Sequence, residues 1–383
     1  MKKLNVVYIG PQSFPLGGAT TKRRRYMIDY LNSQNIQSHY LVTDFKQRGG
    51  QKNPIEGHYG LCDYLNIIPL AESLQLFRFW RIGKRKLKEW HQNGQQNCII
   101  FATILSLFEW PFYIYARKLG YKIVFDQVET SYLQNGNVPL FAKLNIWISE
   151  RLTHHAFKNS AGFVISKALW IENKKIYPQR KLCLLPNSTP VLRRKERKSF
   201  NNPIRLLYSG TYAPKDGVEY LIDGVIEAHE KGCSCELFLL GKGNSKDMKI
   251  LERYKEKEYI HYIGFVSDEK LKSFLLDSDI LCMTRINSRF ANYGFPFKLS
   301  EYLATGNVVL STNVSDVCDY VENLKSAYIV PPKDSHAIAE TILRIINNPQ
   351  EAMKVAEGGL EAMLQNFSIE KVGQTFVNFL RNL

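Results

Sequence analysis

Short apolar runs of strand type alternate with helical stretches along the first half of the chain. Residues 4–9 form such a run, which leads through a Gly-rich turn at 15–19 into a helical stretch at 20–32. The other elements predicted in this half are strands at 38–42, 98–102 and 122–125 and a helix at 110–119. Alternation of this kind favours a doubly wound sheet of parallel strands.

A Pro-rich and charged stretch at residues 187–203 interrupts the pattern, and we interpret it as a linker between domains. The alternation then starts again. The predicted strands are 204–208, 235–240, 260–263, 280–284, 308–311 and 327–330, and the predicted helices are 218–229, 268–275 and 297–305. We therefore expect two α/β domains, 1–186 and 204–367, because 383 residues are many for one hydrophobic core.

The last segment, residues 368–383, has the pattern of an amphipathic helix that begins at Ser368, a good N-cap residue. Its apolar side carries Phe376, Phe379, Leu380 and Leu383. We expect this side to pack back on the first domain.

The net charge of +15 is distributed unevenly along the chain. Residues 1–200 carry 31 Lys and Arg against 12 Asp and Glu, a net charge of +19, whereas the remainder carries 20 against 24, a net charge of −4. A basic half attracts nucleic acid, an anionic membrane surface or a phosphorylated substrate, because each presents a dense negative field.

Cations and aromatic residues are mixed most densely at residues 74–90, with further cations at 22–25. At helical spacing this mixture predicts an interfacial amphipathic helix suited to anionic lipid headgroups. The alternative is an ordinary helix with an apolar core face and solvated cations. We expect peripheral membrane contact, because the longest apolar run, 99–108, is shorter than the roughly 20 residues of a spanning helix.

The seven cysteines show no C-x-x-C pair and no metal-ligand spacing with histidine, which favours a reducing compartment. The first residues lack the apolar core of a signal peptide. We therefore expect a cytoplasmic protein at the inner face of the cell membrane.

The strongest chemical signal is the segment Tyr293-Gly-Phe-Pro-Phe-Lys-Leu-Ser-Glu-Tyr-Leu-Ala-Thr-Gly306. A Gly-Pro loop leads into a helix here, so that free backbone amides and the positive end of the helix dipole are offered to an anion. Glu301 lies on the first turns, where a carboxylate accepts hydrogen bonds from paired sugar hydroxyls. Taken alone, Glu301 would be a solvated carboxylate and Gly294 and Pro296 an ordinary turn.

Two further loops follow predicted strands of the second domain. In the first, Gly210 and Thr211 precede Lys215, whose ammonium is available to an anion. The plainer interpretation is a surface lysine in a turn. In the second, Phe265 and Val266 follow a strand end, which is equally compatible with a plain strand terminus.

The first domain offers weaker candidates. Gly17 and Gly18 form a turn in which a Cβ would block the approach of a ligand. Asp126 and Glu129 follow a predicted strand, at the carboxyl edge where doubly wound sheets bind ligands. Either would orient an acceptor hydroxyl or assist its deprotonation, or would simply cap a helix.

Together these segments resemble the retaining glycosyltransferases of group 1, or family 4, which have the GT-B fold of two Rossmann-like domains facing across a cleft. The resemblance covers most of residues 160–383 and implies that the second domain binds the sugar donor. The donor-binding residues that it implies are Gly17, Gly18, Gly210, Thr211, Lys215, Phe265, Val266, Gly294, Phe295, Pro296, Phe297, Lys298, Leu299 and Glu301.

The chain departs from the family pattern in two places. The family has two glutamates separated by seven residues; Glu301 matches the second, and Tyr293 stands in place of the first. The family often has Arg after the first Gly of the diphosphate loop and Lys before Gly217, where this chain has Thr211 and Asp216. The segment from Pro296 is similar to a subgroup with Pro-x-Lys-Leu-x-Glu-Tyr.

The resemblance implies transfer of a hexosyl unit from a nucleoside-diphosphate sugar, with retention, to a glycan or lipid-diphosphate-linked acceptor in surface polysaccharide biosynthesis. We expect no cofactor, no nucleic acid and no metal, and interpret Asp277-Ser-Asp279 as a structural junction. The alternatives are a nucleotide-sugar 2-epimerase of the same fold, a non-enzymatic protein that binds nucleic acid or membrane, and a catalytically idle scaffold.

Overall fold

The computed structural model describes residues 2–43, 53–67, 73–128, 140–192, 199–243 and 248–383. The chain divides into two compact units. The first consists of Met1–Ser188 together with Ile369–Leu383, and the second of Thr189–Ser368.

The first unit contains an eight-stranded sheet in the order β3-β4-β2-β1-β5-β6-β7-β8. Its strands are β1 (Leu4–Gly10), β2 (Ser38–Val42), β3 (Glu56–Tyr59), β4 (Cys62–Asn66), β5 (Gln96–Phe101), β6 (Lys122–Gln127), β7 (Ala161–Val164) and β8 (Leu182–Leu184). Alternate side chains of β1 point into different apolar clusters, Val6 and Tyr8 into one and Val7 and Ile9 into the other. Both faces of the sheet are therefore covered.

One edge strand of this otherwise parallel sheet departs from the predicted parallel arrangement, since β3 pairs antiparallel with β4. Only Gly60 and Leu61 lie between these strands, and Gly60 has φ +60°. A connection this short joins antiparallel strands, because a parallel pair needs a crossover of a dozen or more residues.

The helices of the first unit that precede the second unit are α1 (Ala19–Ser33), α2 (Ser73–Trp90), α3 (Trp110–Lys118), α4 (Leu140–Phe157) and α5 (Lys167–Ile176). Residues of α2, α3 and α4 share one apolar cluster, and α1 belongs to the cluster on the opposite face of the sheet. These three helices therefore cover the same face of the sheet, and their outer sides all point away from it.

The second unit contains a six-stranded parallel sheet in the order β11-β10-β9-β12-β13-β14. Its strands are β9 (Ile204–Gly210), β10 (Cys235–Gly241), β11 (Ile260–Gly264), β12 (Ile280–Met283), β13 (Val308–Thr312) and β14 (Tyr328–Val330). The strand order reverses between β9 and β12. Ligands bind at such a switch point, outside the carboxyl ends of the strands.

The helices of the second unit are α6 (Val218–Glu230), α7 (Lys249–Glu252), α8 (Asp268–Asp277), α9 (Arg289–Tyr293), α10 (Phe297–Leu303), α11 (Val317–Tyr320), α12 (Ser335–Asn347) and α13 (Pro349–Asn366). A 3-10 turn at Pro214–Asp216 precedes α6. The two doubly wound α/β units predicted from the sequence are confirmed.

The final helix, α14 (Ile369–Arg381), packs against the first unit. The Phe376 ring stacks on Phe163 with 4.9 Å between ring centroids, and Gly373 lies directly against the ring of Tyr30, where a Cβ would overlap it.

The segment interpreted as a linker is partly packed on the second unit. Thr189 forms an isolated β-bridge with Ser368, and the Leu192 amide donates a hydrogen bond to the Ala304 carbonyl. Residues 193–198, the charged run of the segment, lie outside the described residues.

Candidate functional site

The carboxyl ends of β9 and β10 approach each other closely at two glycines. Gly210 and Gly241 are register partners, and Gly241 has φ +105°. A Cβ on Gly241 would overlap the Gly210 carbonyl oxygen. A Cβ on Gly210 would in turn overlap the Lys298 ammonium, so glycine at position 210 lets a cation lie against the strand end.

Four side chains form a hydrogen-bonded ring beside Gly210. The Lys298 ammonium donates to the Tyr208 hydroxyl at 2.9 Å and contacts the Asp216 carboxylate at 3.4 Å. The Tyr208 hydroxyl donates to the Thr211 carbonyl oxygen, and the Thr211 hydroxyl donates to Asp216 at 2.7 Å. The ring closes through residues 90 positions apart in sequence and holds the Gly210 loop against α10.

Burial lowers the pKa of Lys298 to about 8, and the Asp216 carboxylate acts in the opposite direction. The positive charges of Arg285 and Lys215 lower the pKa further. Only 19% of the Lys298 side chain is exposed. The ammonium is thus a desolvated cation, which interacts more strongly with an anion than a solvated lysine does.

Two more cations belong to this edge. Arg285 follows β12 and is buried; its Nε and Nη1 atoms have no hydrogen-bond partner among the residues that the structure describes. Lys215 is half-buried, with its Nζ 4.3 Å from the centre of the Phe290 ring. Together with Lys298 and Asp216, these residues form a cationic group with net positive charge.

Helix α10 is tied to β9 through Tyr302, whose buried hydroxyl accepts a hydrogen bond from the Ser209 amide at 3.0 Å. Glu301 is half-buried on the same helix. The helix ends at Leu303 rather than at the predicted residue 305, because Thr305 turns its hydroxyl back to the Tyr302 carbonyl.

The predicted residues around the start of α10 divide into core and loop. Phe295 and Leu299 are buried in the core, where Phe295 packs on Tyr320 with 5.2 Å between ring centroids. Only their backbone groups are therefore available to a ligand. The Gly294 carbonyl accepts from the Ser315 hydroxyl at 2.8 Å, while Pro296 precedes α10 as its N-cap, without a side-chain cap bond. Phe297 and Lys298 begin the helix.

Phe265 follows β11 and is 77% exposed, while its neighbour Val266 is half-buried. The Lys242 ammonium lies 5.5 Å from the centre of the Phe265 ring. The Tyr262 hydroxyl donates to the Gly241 carbonyl at 3.2 Å. An aromatic face of this kind, at the same edge of the sheet as Gly241, is suited to stacking against a planar ligand group.

In the first unit, Gly17 and Gly18 precede α1. A Cβ on Gly17 would overlap the Thr21 side chain of the same chain segment, whereas a Cβ on Gly18 would meet no atom within 4 Å in the part of the chain that the structure describes. The close packing at Gly17 is therefore internal to the loop.

Asp126 is buried at the end of β6 and forms an ion pair with Arg23 at 3.0 Å. The same guanidinium donates to the carbonyls of Leu185 and Pro186. Asp126 thus anchors the segment that leaves β8, an arrangement that its position in the sequence did not indicate. Glu129 lies outside the described residues.

The match to a known family lies within the second unit. Residues 192–361 match the family model of the glycosyl transferases group 1, which is less than half of the chain. Alpha-D-kanosaminyltransferase of Streptomyces kanamyceticus is 20% identical over 292 residues, which cover 71% of this chain and 73% of that protein. These similarities support the interpretation of this chain as a group 1 glycosyltransferase. They therefore indicate that it is a transferase enzyme.

Two longer matches agree with this. The capsular polysaccharide biosynthesis glycosyltransferase CapM of Staphylococcus aureus is 22% identical over 366 residues, which cover 90% of this chain and 89% of CapM. The crystal structure of HepE from Anabaena in complex with UDP and glucose superposes with a TM-score of 0.71 at 14% identity, covering 98% of this chain and 99% of HepE. The fold is therefore of the GT-B type.

Asp279, the second aspartate of the Asp-x-Asp pattern, is buried at the start of β12. Its carboxylate accepts hydrogen bonds from the Asn201 amide at 3.0 Å and the Arg205 amide at 2.7 Å. This places Asp279 in a structural junction at the amino edge of the sheet, opposite to Gly210.

A separate surface cluster of potential metal ligands joins α6 and α12 through Glu227, His336 and Glu340. The Lys231 ammonium contacts Glu227 at 2.9 Å and also bonds to Glu340. A protein cation therefore already neutralises these carboxylates.

Of the predicted donor-binding residues, Lys298, Lys215 and Gly210 lie together at the carboxyl edge of the second sheet, and Arg285, Tyr208 and the inward-facing Asp216 lie beside them without having been predicted. A signal for Arg285 was present, because it follows a predicted strand directly at the carboxyl edge. Asp216 and Tyr208 carried no such signal, since their roles depend on Lys298, which is more than 80 residues away.

Proposed function

We propose that this protein transfers a hexosyl unit with retention from a nucleoside-diphosphate sugar to a glycan or lipid-linked acceptor in surface polysaccharide biosynthesis. The cationic group at the switch point of the second sheet carries this proposal. A diphosphate is the part of such a donor that a desolvated positive cluster recognises. The group 1 match and the HepE complex with UDP support the same donor class.

Each part of the donor has a candidate partner. Lys298, Lys215 and the backbone of Gly210 and Thr211 would bind the diphosphate. Glu301 would accept hydrogen bonds from hydroxyl groups, and the exposed ring of Phe265 would lie against the base.

In the reaction that we propose, the bond from the anomeric carbon to the diphosphate oxygen breaks and a bond to the acceptor oxygen forms on the same face, while the proton of the acceptor hydroxyl passes to the leaving diphosphate. The leaving diphosphate gains negative charge as its bond breaks. Fixed cations stabilise this charge more in the transition state than in the bound substrate, which lowers the barrier. Asp126 and Glu129 remain candidates for contact with the acceptor, and the reaction consumes no cofactor.

Donor binding is tested by thermal unfolding with UDP, GDP and TDP and the matching monophosphates. A ligand that binds only the folded state raises the melting temperature. We expect one diphosphate to raise it more than its monophosphate, because the second phosphate adds negative charge for the cationic group to bind. The Lys325→Met variant, which removes an exposed ammonium elsewhere in the second unit, should respond like the wild type. The absence of a response to every diphosphate would contradict the proposal.

Product analysis separates the transferase from the epimerase. Incubation of nucleotide sugars that contain the stabilising diphosphate, without acceptor, should leave their sugars unchanged, whereas an epimerase would convert one of them under the same conditions.

The outer faces of α2 and α4 support the proposed contact with an anionic membrane. On α2, Phe77 is 66% exposed next to the exposed cations Arg78, Arg81 and Arg85. On α4, Trp147 is 51% exposed, with Leu144 exposed one turn before it. Within the described residues, no helix has the length and hydropathy needed to cross a bilayer. Cations mixed with exposed aromatic residues bind at a bilayer surface instead.

Charge reversal on α2 should weaken this contact. Each cation near an anionic bilayer contributes about 1 kcal/mol, so the triple variant Arg78→Glu, Arg81→Glu and Arg85→Glu should bind at least about 100-fold more weakly. Flotation with vesicles of phosphatidylcholine and phosphatidylglycerol measures the effect, and Lys325→Glu in the second unit is the matched control. Equal flotation of the triple variant and the control would contradict the proposed membrane contact.

A further inference from the structure

Asp216 is a buried carboxylate in the middle of a site that should bind an anion, and the proposed reaction gives it no role. A negative charge there repels a diphosphate. The presence of Asp216 in the cationic group therefore needs an explanation other than direct contact with the diphosphate.

The backbone holds Asp216 in a fixed place. The Thr284 hydroxyl donates to the Gly217 carbonyl at 3.1 Å, and the Ile286 amide donates to the Lys215 carbonyl at 3.0 Å. Gly217 has φ +61°, and a Cβ there would overlap the Thr284 carbonyl oxygen. The 3-10 turn that carries Asp216 is thereby pinned to the segment that follows β12.

The carboxylate uses its two oxygens for different partners. One accepts the Thr211 hydroxyl at 2.7 Å, and the other faces the Lys298 ammonium at 3.4 Å. Lys298 also donates to the Tyr208 hydroxyl. Among the described residues, two of the three ammonium N–H bonds are thus engaged, which leaves one for a ligand.

Arg285 acts on Lys298 in the opposite sense. The Arg285 side chain is buried. Its Nε and Nη1 atoms form no hydrogen bond with any of the described residues, so no hydrogen-bonded carboxylate offsets the charge at these atoms. Its charge lowers the pKa of Lys298, as does that of Lys215, whereas Asp216 raises it. Burial raises the pKa of Tyr208 well above its usual value, so this neighbour stays neutral.

We propose that Asp216 is a positioning residue that keeps Lys298 charged and fixed against Gly210, and that Arg285 opposes it, so that the pair sets the pH range in which this unit binds a diphosphate. That the ligand is a diphosphate rests on the proposed function. The inference about the ionisation state of Lys298 does not, because that state can be measured without any ligand.

The first experiment follows the ionisation of Lys298 by NMR of 13C- and 15N-labelled lysine in the ligand-free protein, with the signal assigned by its loss in Lys298→Arg. The wild type should titrate near pH 8. In Asp216→Asn the titration should move down, and in Arg285→Gln it should move up, each by about one pH unit or more, as expected for the removal of a nearby charge. General damage to the fold would not produce opposite shifts.

The second experiment measures UDP binding by calorimetry between pH 6 and pH 9. A lysine binds an anion only while it is protonated, so the affinity of the wild type should fall as the pH rises through about 8. The fall should begin at lower pH in Asp216→Asn and at higher pH in Arg285→Gln. Glu219→Gln, which removes an exposed carboxylate three positions away, should follow the wild type.

The outcomes are distinguishable. If Lys298 titrates at the same pH in the wild type and both variants, the inference is wrong. If the shifts occur but UDP and the other diphosphates fail to bind, the proposed donor fails while the role of Asp216 and Arg285 in the state of Lys298 stands. If Asp216→Asn does not fold, the upward shift in Arg285→Gln still decides the matter.

Discussion

Replacement of Lys298 by methionine should lower the turnover of the proposed transfer by about 100-fold or more, the usual cost of removing one preorganised charge-stabilising group from a transition state. Methionine keeps most of the side-chain length and removes the ammonium that lies against Gly210 and bonds to Tyr208. The measurement is the transfer activity with nucleotide sugars that contain the diphosphate identified by thermal unfolding.

Two further variants make this result specific. Lys215→Met should reduce turnover by a smaller factor, because Lys215 is only half-buried and its charge is better solvated. Lys325→Met, which removes an ammonium that is 72% exposed, should retain the wild-type rate. Equal rates for Lys298→Met and Lys325→Met would exclude Lys298 from the reaction.

Alanine at Gly241 should destabilise the second unit by roughly 3 kcal/mol or more, because a strained backbone conformation and a steric overlap are added together. Gly241 has φ +105°, and its new Cβ would overlap the Gly210 carbonyl oxygen. Relief of the overlap requires β9 and β10 to separate at their carboxyl ends. Since Gly210 borders Lys298, diphosphate binding should be lost as well.

Gly232→Ala provides the matched control. Gly232 has φ +90°, but a Cβ there meets no heavy atom of the described residues within 4 Å. Its cost should therefore be limited to the left-handed conformation, about 1–2 kcal/mol. Circular dichroism in urea measures both variants. All five tryptophans lie in the first unit, at 80, 90, 110, 147 and 170, so their fluorescence serves as an internal reference for that unit. Equal costs at Gly241 and Gly232 would contradict the steric argument.

The predicted strands of the second unit agree closely with the structure. For example, β9 covers Ile204–Gly210 where residues 204–208 were predicted, and β13 covers Val308–Thr312 where 308–311 were predicted. β13 is buried along its whole length and β9 along most of it, so each appears in the sequence as an almost continuous apolar run that local inspection detects.

Elements without that pattern were missed. β3 has the sequence Glu-Gly-His-Tyr and alternates between exposed and half-buried positions at the edge of the sheet, so no apolar run marks it. α12 was also missed, although its buried residues Ile338, Ile342 and Ile345 follow a helical period. For α12 the signal was present in the sequence and was not used.

The sequence alone determined the fold class, the two-unit plan and the loops that follow β9 and precede α10, because these depend on the period of apolar residues and on Gly and Pro at the turns. Only the tertiary structure decided what the side chains in those loops do. Lys298 meets Asp216 and Tyr208 across more than 80 residues, and Asp126 is an ion-pair partner of Arg23 across more than 100. Pairings between residues so far apart in sequence arise when parallel strands bring their carboxyl ends to one edge of a sheet. No local pattern in the sequence indicates them.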